Sequence, residues 1–111
     1  MDESTARALL AAERSRVEAL LDSVDSAVID DVAAAEAAGD HDDPAEPLTE
    51  EEGDRAVAEE LRTRLAALER AEHRLDAGTY GRSVLSGSPI EDARLEADPA
   101  AELTAEEASR A

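Results

Sequence analysis

The chain has 111 residues, and its 29 acidic side chains against 11 arginines and no lysine leave a formal charge of -18. Such a surface repels phosphate backbones, so direct nucleic-acid binding is disfavoured, and a partner with a basic groove or a bound cation is the electrostatically sensible one. With Tyr80 as the single aromatic residue and alanine, leucine and valine as the main apolar content, the chain builds one domain at most, without a bulky core.

From about Thr5 to Ala38 the apolar positions Leu10, Val17, Leu20, Leu21, Val24, Val28 and Val32 recur at spacings of three, four and seven, interleaved with Glu13, Arg14, Glu18, Asp22 and Asp25. This pattern predicts one long amphipathic helix. A second helix is predicted from about Thr49 to Ala77, striped by Val57, Leu61, Leu65, Leu68 and Leu75. Thr49-Glu50-Glu51-Glu52 reads as its capping box and Asp76-Ala77-Gly78 as its glycine stop.

At 1.5 Å per residue each helix is roughly 45 to 50 Å long, and neither hides its stripe alone. The segment between them, Gly39-Asp40-His41-Asp42-Asp43-Pro44-Ala45-Glu46-Pro47-Leu48, is short enough to return the chain antiparallel beside itself. The expected fold is therefore all-α, a long antiparallel two-helix coiled-coil hairpin. Its expected seam sets Val17, Leu21, Val24 and Val28 against Leu68, Leu65, Leu61 and Val57. In the remainder, Ser83 to Ser88 reads as a turn, Ile90 to Ala97 as a short helix or turn held by Leu95, and Thr104 to Arg110 as a terminal helix. Tyr80, Val84, Leu85, Ile90, Leu95 and Leu103 are the residues available to hold this end together, and it is expected to be the less stable part. Thr104-Ala105-Glu106-Glu107 is itself a capping box, with threonine as N-cap and glutamate three residues on.

One stretch carries more than periodicity. Gly78-Thr79-Tyr80-Gly81-Arg82-Ser83-Val84-Leu85-Ser86-Gly87-Ser88-Pro89-Ile90, flanked by Leu68-Glu69-Arg70 and by Ala93-Arg94-Leu95-Glu96-Ala97-Asp98-Pro99, resembles the C-terminal part of the DksA/TraR family of small bacterial transcription regulators. That family's pattern runs Gly-Thr-Tyr-Gly, C-x-x-C-Gly-x-Pro-Ile, Arg-Leu-Glu-Ala-x-Pro and a second C-x-x-C. The four zinc-ligand positions fall here on Ser83, Ser86, Thr104 and Glu107, in a chain with no cysteine. The resemblance covers about residues 49 to 108, and the first helix matches it only as a helix.

Structural zinc takes thiolate or imidazole in a closed tetrahedron, whereas these positions offer three neutral hydroxyls and one carboxylate. No zinc and no other cofactor is expected, and His73 reads as a surface or packing residue. Capping by Thr104 contributes about 1 kcal/mol against the order of 10 from structural zinc, so it does not replace the metal. Residues 1–78 are thus read as the hairpin, with an acidic tip near 39–48, and residues 79–111 as a degenerate zinc-finger-like region with a short C-terminal helix.

The resemblance also implies a role for the tip. In that family a coiled coil carries acidic residues through the secondary channel of bacterial RNA polymerase toward the catalytic magnesium, with a tip pattern resembling Asp-Pro-x-Asp-x-Ala. Here the tip reads Asp43-Pro44-Ala45-Glu46-Pro47-Leu48. Asp43 matches the first acid, Glu46 approximates the second, Leu48 replaces the alanine and Pro47 is added. Asp40, Asp42, Asp43 and Glu46 are the candidate partner-binding residues, and RNA polymerase is the implied partner. Asp40, His41, Asp42 and Asp43 lack the glycine-spaced loop of a dedicated calcium site.

No enzyme is expected: no nucleophile has a histidine base spaced near it, and no glycine-rich phosphate loop ends in lysine. No apolar run is long enough to span a membrane, and Met1-Asp2-Glu3 lacks the basic, apolar start of a signal peptide, so a cytoplasmic location is expected. The alternative reading is a non-catalytic helical module that keeps the hairpin scaffold, has lost polymerase regulation, and binds another protein or self-associates.

Overall fold

The computed structural model describes the backbone of residues 1–38 and 45–110 and the side chains of residues 1–25 and 53–110. The described helices are α1 (Glu3–Ala38), α2 (Ala45–Ala77), α3 (Asp92–Ala97) and α4 (Ala105–Arg110). Among the described residues the only β pairing is an isolated antiparallel bridge between Arg82 and Pro89. The fold is all-α, two long antiparallel helices followed by a small end built on a turn and two short helices. No helix among the described residues is long and apolar enough to cross a membrane.

The helix ends follow from local chemistry. At the start of α1 the Asp2 carboxylate accepts the Thr5 N–H at 2.7 Å, satisfying one of the donors a helix leaves open. Hydrogen bonds from the Thr5 N–H and hydroxyl hold that carboxyl below its ordinary pKa. The start of α2 differs from expectation: it begins at Ala45, so Ala45 to Leu48 are helical and Thr49 lies inside the helix instead of capping it. The reason is positional. First-turn N–H groups have no acceptor within the helix, so Pro47, as third residue, forfeits no hydrogen bond and its fixed φ suits the helix. The glycine stop is present: Gly78 takes φ +80°, the Thr79 N–H reaches the Arg74 carbonyl at 2.8 Å, and the Gly78 N–H reaches that of Leu75 at 3.2 Å. This pair of bonds is a Schellman motif.

The chain divides into two compact units, the first joining Met1–Ser15 to Leu65–Ala111 and the second formed by Arg16–Arg64. In the first unit, Arg7 meets Asp76 at 3.2 Å and Arg14 grips both oxygens of Glu72 at 3.1 and 2.9 Å. The partners climb α1 as they descend α2, the signature of antiparallel pairing. Ala6 and Leu10 on one helix and Leu68, Ala71 and Leu75 on the other are buried there, while Leu65 is partly so. In the second unit Arg62 bonds Asp25 at 3.1 Å, and Val17 and Ala58 are buried. These ion pairs are exposed or half-exposed and fix register more than they stabilise.

Of the residues expected to line the seam, Val17 and Leu68 are buried and Leu21, Val24 and Leu61 partly so, whereas Val57 is 45 % exposed. Ala58 takes the buried position. A seam between paired helices follows a 3.5-residue repeat, so its steps alternate between three and four. Ala58, Leu61, Leu65 and Leu68 obey that alternation; Val57, Leu61 and Leu65 make two successive steps of four and drift off the stripe. The Val28 side chain lies outside the described residues.

The small end has its own apolar cluster of Ile90, Leu95 and Ala101, with Tyr80 packed against it. The Tyr80 hydroxyl donates to the Pro99 carbonyl at 2.8 Å, so its polar end is satisfied as its ring is covered. Val84 and Leu85, expected to hold this end together, are 53 % and 75 % exposed, and Leu103 is partly buried. They form the crest of the turn, because the backbone beneath them folds inward onto Ser83. Ala100 and Ala101, small enough to let the chain pass close to α3, are buried in their stead.

Candidate functional site

Of the four candidate partner-binding residues, Asp40, Asp42 and Asp43 lie outside the described residues. Glu46 is the second residue of α2, in the turn where the helix dipole favours an acid, and its side chain also lies outside the described residues.

The positions expected as counterparts of zinc ligands are brought together by two turns. The first is closed by the Ser83 N–H on the Ser88 carbonyl at 2.8 Å and by the Gly87 N–H on the Ser83 carbonyl at 2.9 Å, with Gly87 at φ +75°. A side chain at Gly87 would be strained whatever the space around it, because positive φ crowds a Cβ. Inside the turn the Ser83 hydroxyl oxygen accepts the N–H groups of Leu85 and Ser86 at 3.1 and 3.3 Å, and the Ser86 oxygen accepts that of Ser88 at 3.2 Å. Ser83 is the buried polar residue of this end, 5 % exposed.

The second turn starts α4. The Thr104 hydroxyl oxygen accepts the Glu107 N–H at 3.2 Å, and Glu107 Oε1 accepts the Thr104 N–H at 2.9 Å, the reciprocal bonds of the predicted capping box. A backbone bond ties the turns together, the Val84 N–H reaching the Glu102 carbonyl at 2.9 Å. The Glu102 carboxylate in turn takes Arg70 Nε at 2.8 Å and lies 3.8 Å from Arg74 Nη1, and Arg94 Nε donates to the Leu103 carbonyl at 2.9 Å. Sequence reasoning missed Glu102, whose partners are distant along the chain, and placed Arg94 in the family pattern without its bond to Leu103.

The Ser83 hydroxyl and the Thr104 N–H, with smaller effects from the hydroxyls of Ser86 and Thr104, lower the Glu107 pKa from an ordinary 4.5 to about 2. Hydrogen bonds outweigh the opposing effect of desolvation here. The folded protein therefore favours the charged carboxylate more than the unfolded chain does. Its contribution to stability is complete above pH 4.5 and disappears as pH falls toward 2. The stability difference between the native chain and Glu107→Gln is accordingly expected to be constant above pH 4.5 and to shrink progressively below it, as measured by denaturant unfolding across that range.

This donor set does not fit structural zinc. Three of the four side chains are neutral hydroxyls, the Ser83 and Ser86 oxygens already accept backbone N–H groups, and Glu107 Oε1 accepts the Thr104 N–H. Among the described residues no group of three or more His, Cys, Asp or Glu side chains is placed to hold a metal ion.

No family model matches the chain, and neither does any curated protein. Among solved structures it is similar to transcription factor DksA2 from Pseudomonas aeruginosa, with a TM-score of 0.85 and 26 % identity over 97 % of this chain and 81 % of that one. The chain has a DksA-like fold. The likeness extends along α1, where the sequence resembles the DksA/TraR family only in being helical, so architecture and motif point the same way from different parts of the chain.

Proposed function

We propose that the chain is a DksA-like transcription factor that binds RNA polymerase through its secondary channel without requiring zinc. The observation that carries this reading is the structural likeness to DksA2 over nearly the whole chain, two long antiparallel helices included. Residues 1–78 act as the inserting hairpin and residues 79–111 as the part that stays outside. Asp43 and Glu46, with Asp40 and Asp42 beside them, bring carboxylates toward the catalytic magnesium, where hard oxygen ligands are chemically at home. A formal charge of -18 favours approach to a basic channel lining and opposes approach to the nucleic acid. The protein is then a cytoplasmic regulator and no enzyme.

The test is direct. The purified chain is expected to co-elute with bacterial RNA polymerase core and to alter promoter-dependent transcription, and Asp43→Asn with Glu46→Gln is expected to abolish the transcriptional effect while co-elution persists. Absence of co-elution, or unchanged transcription with the double variant, refutes the reading. Metal analysis bears on the zinc: stoichiometric zinc, or unfolding by a chelator, would contradict zinc independence.

Leu20 and Val57, 43 % and 45 % exposed in the second unit, favour a second reading, in which the helical scaffold associates with a second copy instead of polymerase. Sedimentation separates the two, since a stable dimer supports the second and a monomer the first.

A further inference from the structure

We infer that the segment from Pro99 to Leu103 is a strap that fastens the C-terminal end to α2, with Glu102 as its latch, a carboxylate required by the buried guanidinium of Arg74. The strap is held at successive points. The Tyr80 hydroxyl donates to the Pro99 carbonyl at 2.8 Å, the Val84 N–H to the Glu102 carbonyl at 2.9 Å, and Arg94 Nε to the Leu103 carbonyl at 2.9 Å. Those bonds tie it to its own end of the chain, whose apolar cluster of Ile90, Leu95, Ala101 and Tyr80 is likewise built from residues after Gly78. The reach to α2 is made by the Glu102 side chain, which takes Arg70 Nε at 2.8 Å and lies 3.8 Å from Arg74 Nη1.

The two arginines are not equivalent. Arg70 is 56 % exposed, so water solvates its charge whether or not Glu102 is beside it, and such a pair contributes little. Arg74 is 15 % exposed, and its Nε and Nη2 are buried with no hydrogen-bond partner among the described residues. A guanidinium cannot shed its proton to escape burial, so it needs an anion close by. The partly buried Glu102 carboxylate is the one the fold supplies. Distance favours the Arg70 contact and burial the Arg74 contact, and burial decides. The separation grows only from 2.8 to 3.8 Å, whereas the effective dielectric falls several-fold between water and a poorly hydrated site.

The experiment is a double-mutant cycle read by amide hydrogen exchange on the full chain, with Glu102→Gln, Arg74→Met, the two combined, and Arg70→Gln. The reporters are the amides of Val84 and Ala101, which donate to the backbone carbonyls of Glu102 and Asp98, so that no side-chain substitution removes either bond directly. Glu102→Gln keeps the shape and an acceptor oxygen but loses the charge. It is expected to lower protection at both amides by about tenfold or more, the effect of stranding a buried cation. Arg74→Met fills the same space without a charge and is expected to keep protection within about threefold of native, and to restore it to that range when combined with Glu102→Gln. Arg70→Gln should also stay within about threefold. The inference fails if Glu102→Gln leaves both amides unchanged, if the combined variant is as poorly protected as Glu102→Gln alone, or if Arg70→Gln or Arg74→Met alone costs as much as Glu102→Gln. Where Glu102→Gln unfolds the end outright, the cycle still decides, since recovery by Arg74→Met supports the latch and its absence overturns it. No polymerase enters the measurement, so its outcome is independent of the proposed function.

Discussion

Leu95→Ala is expected to lower the unfolding free energy by about 3 kcal/mol, a large-to-small change at a site with little freedom to collapse. Leu95 is 2 % exposed and is the most deeply buried member of a cluster whose other buried members are Ile90 and Ala101. Removing its isopropyl group leaves Tyr80 and Ile90 facing a void, with few neighbouring side chains to fill it. Leu85→Ala, a chemically identical deletion ten residues earlier, is expected to change stability by less than about 0.5 kcal/mol, because Leu85 is 75 % exposed. Denaturant unfolding of the two variants side by side checks both expectations. Equal effects would show that the crest of the 83–88 turn is packed and that the cluster has been placed on the wrong residues.

Leu68→Ala is the second large effect, expected at about 3 kcal/mol for a leucine with no exposed surface. Domains of this size carry a net stability of roughly 5 to 10 kcal/mol, so the substitution removes roughly 30 to 60 % of it. Val57→Ala, on the same helix, is expected to cost less than about 0.5 kcal/mol, since a 45 % exposed valine has already left much of its surface in water. The pair tests the phase of the α2 stripe. A loss at Val57 of the size a buried valine gives, alongside the loss at Leu68, would restore the seam that the apolar pattern suggests and reject the one in which Ala58 is buried.

Particular residues show why some of this was legible and some was not. The stop at Gly78 and the cap at Thr104 are local: each is satisfied within a handful of residues, and both appear as expected. The two long helices were legible for the same reason, because a stripe repeated over 36 and 33 residues leaves little ambiguity of type. The start of α2 was misplaced because a strong capping pattern at Thr49 competes with a proline that the first turn tolerates. The burial of Ala58 over Val57 is a matter of supercoil phase, which hydrophobicity does not encode. Ser83 was least legible of all. A serine in a glycine-rich turn reads as exposed, and only folding brings it to a glutamate twenty-four positions away. The acidic tip remains a proposal that rests on motif and on the DksA-like architecture.

The bonds around Glu107 have a consequence for how this end comes together. A side chain on the same polypeptide is present at one copy per molecule at every dilution, so its pairing with Thr104 is first-order. A bound ligand would add a mass-action contribution that rises with its free concentration. A covalently connected carboxylate adds none, and the equilibrium it helps to set depends on temperature, acidity and the chain alone.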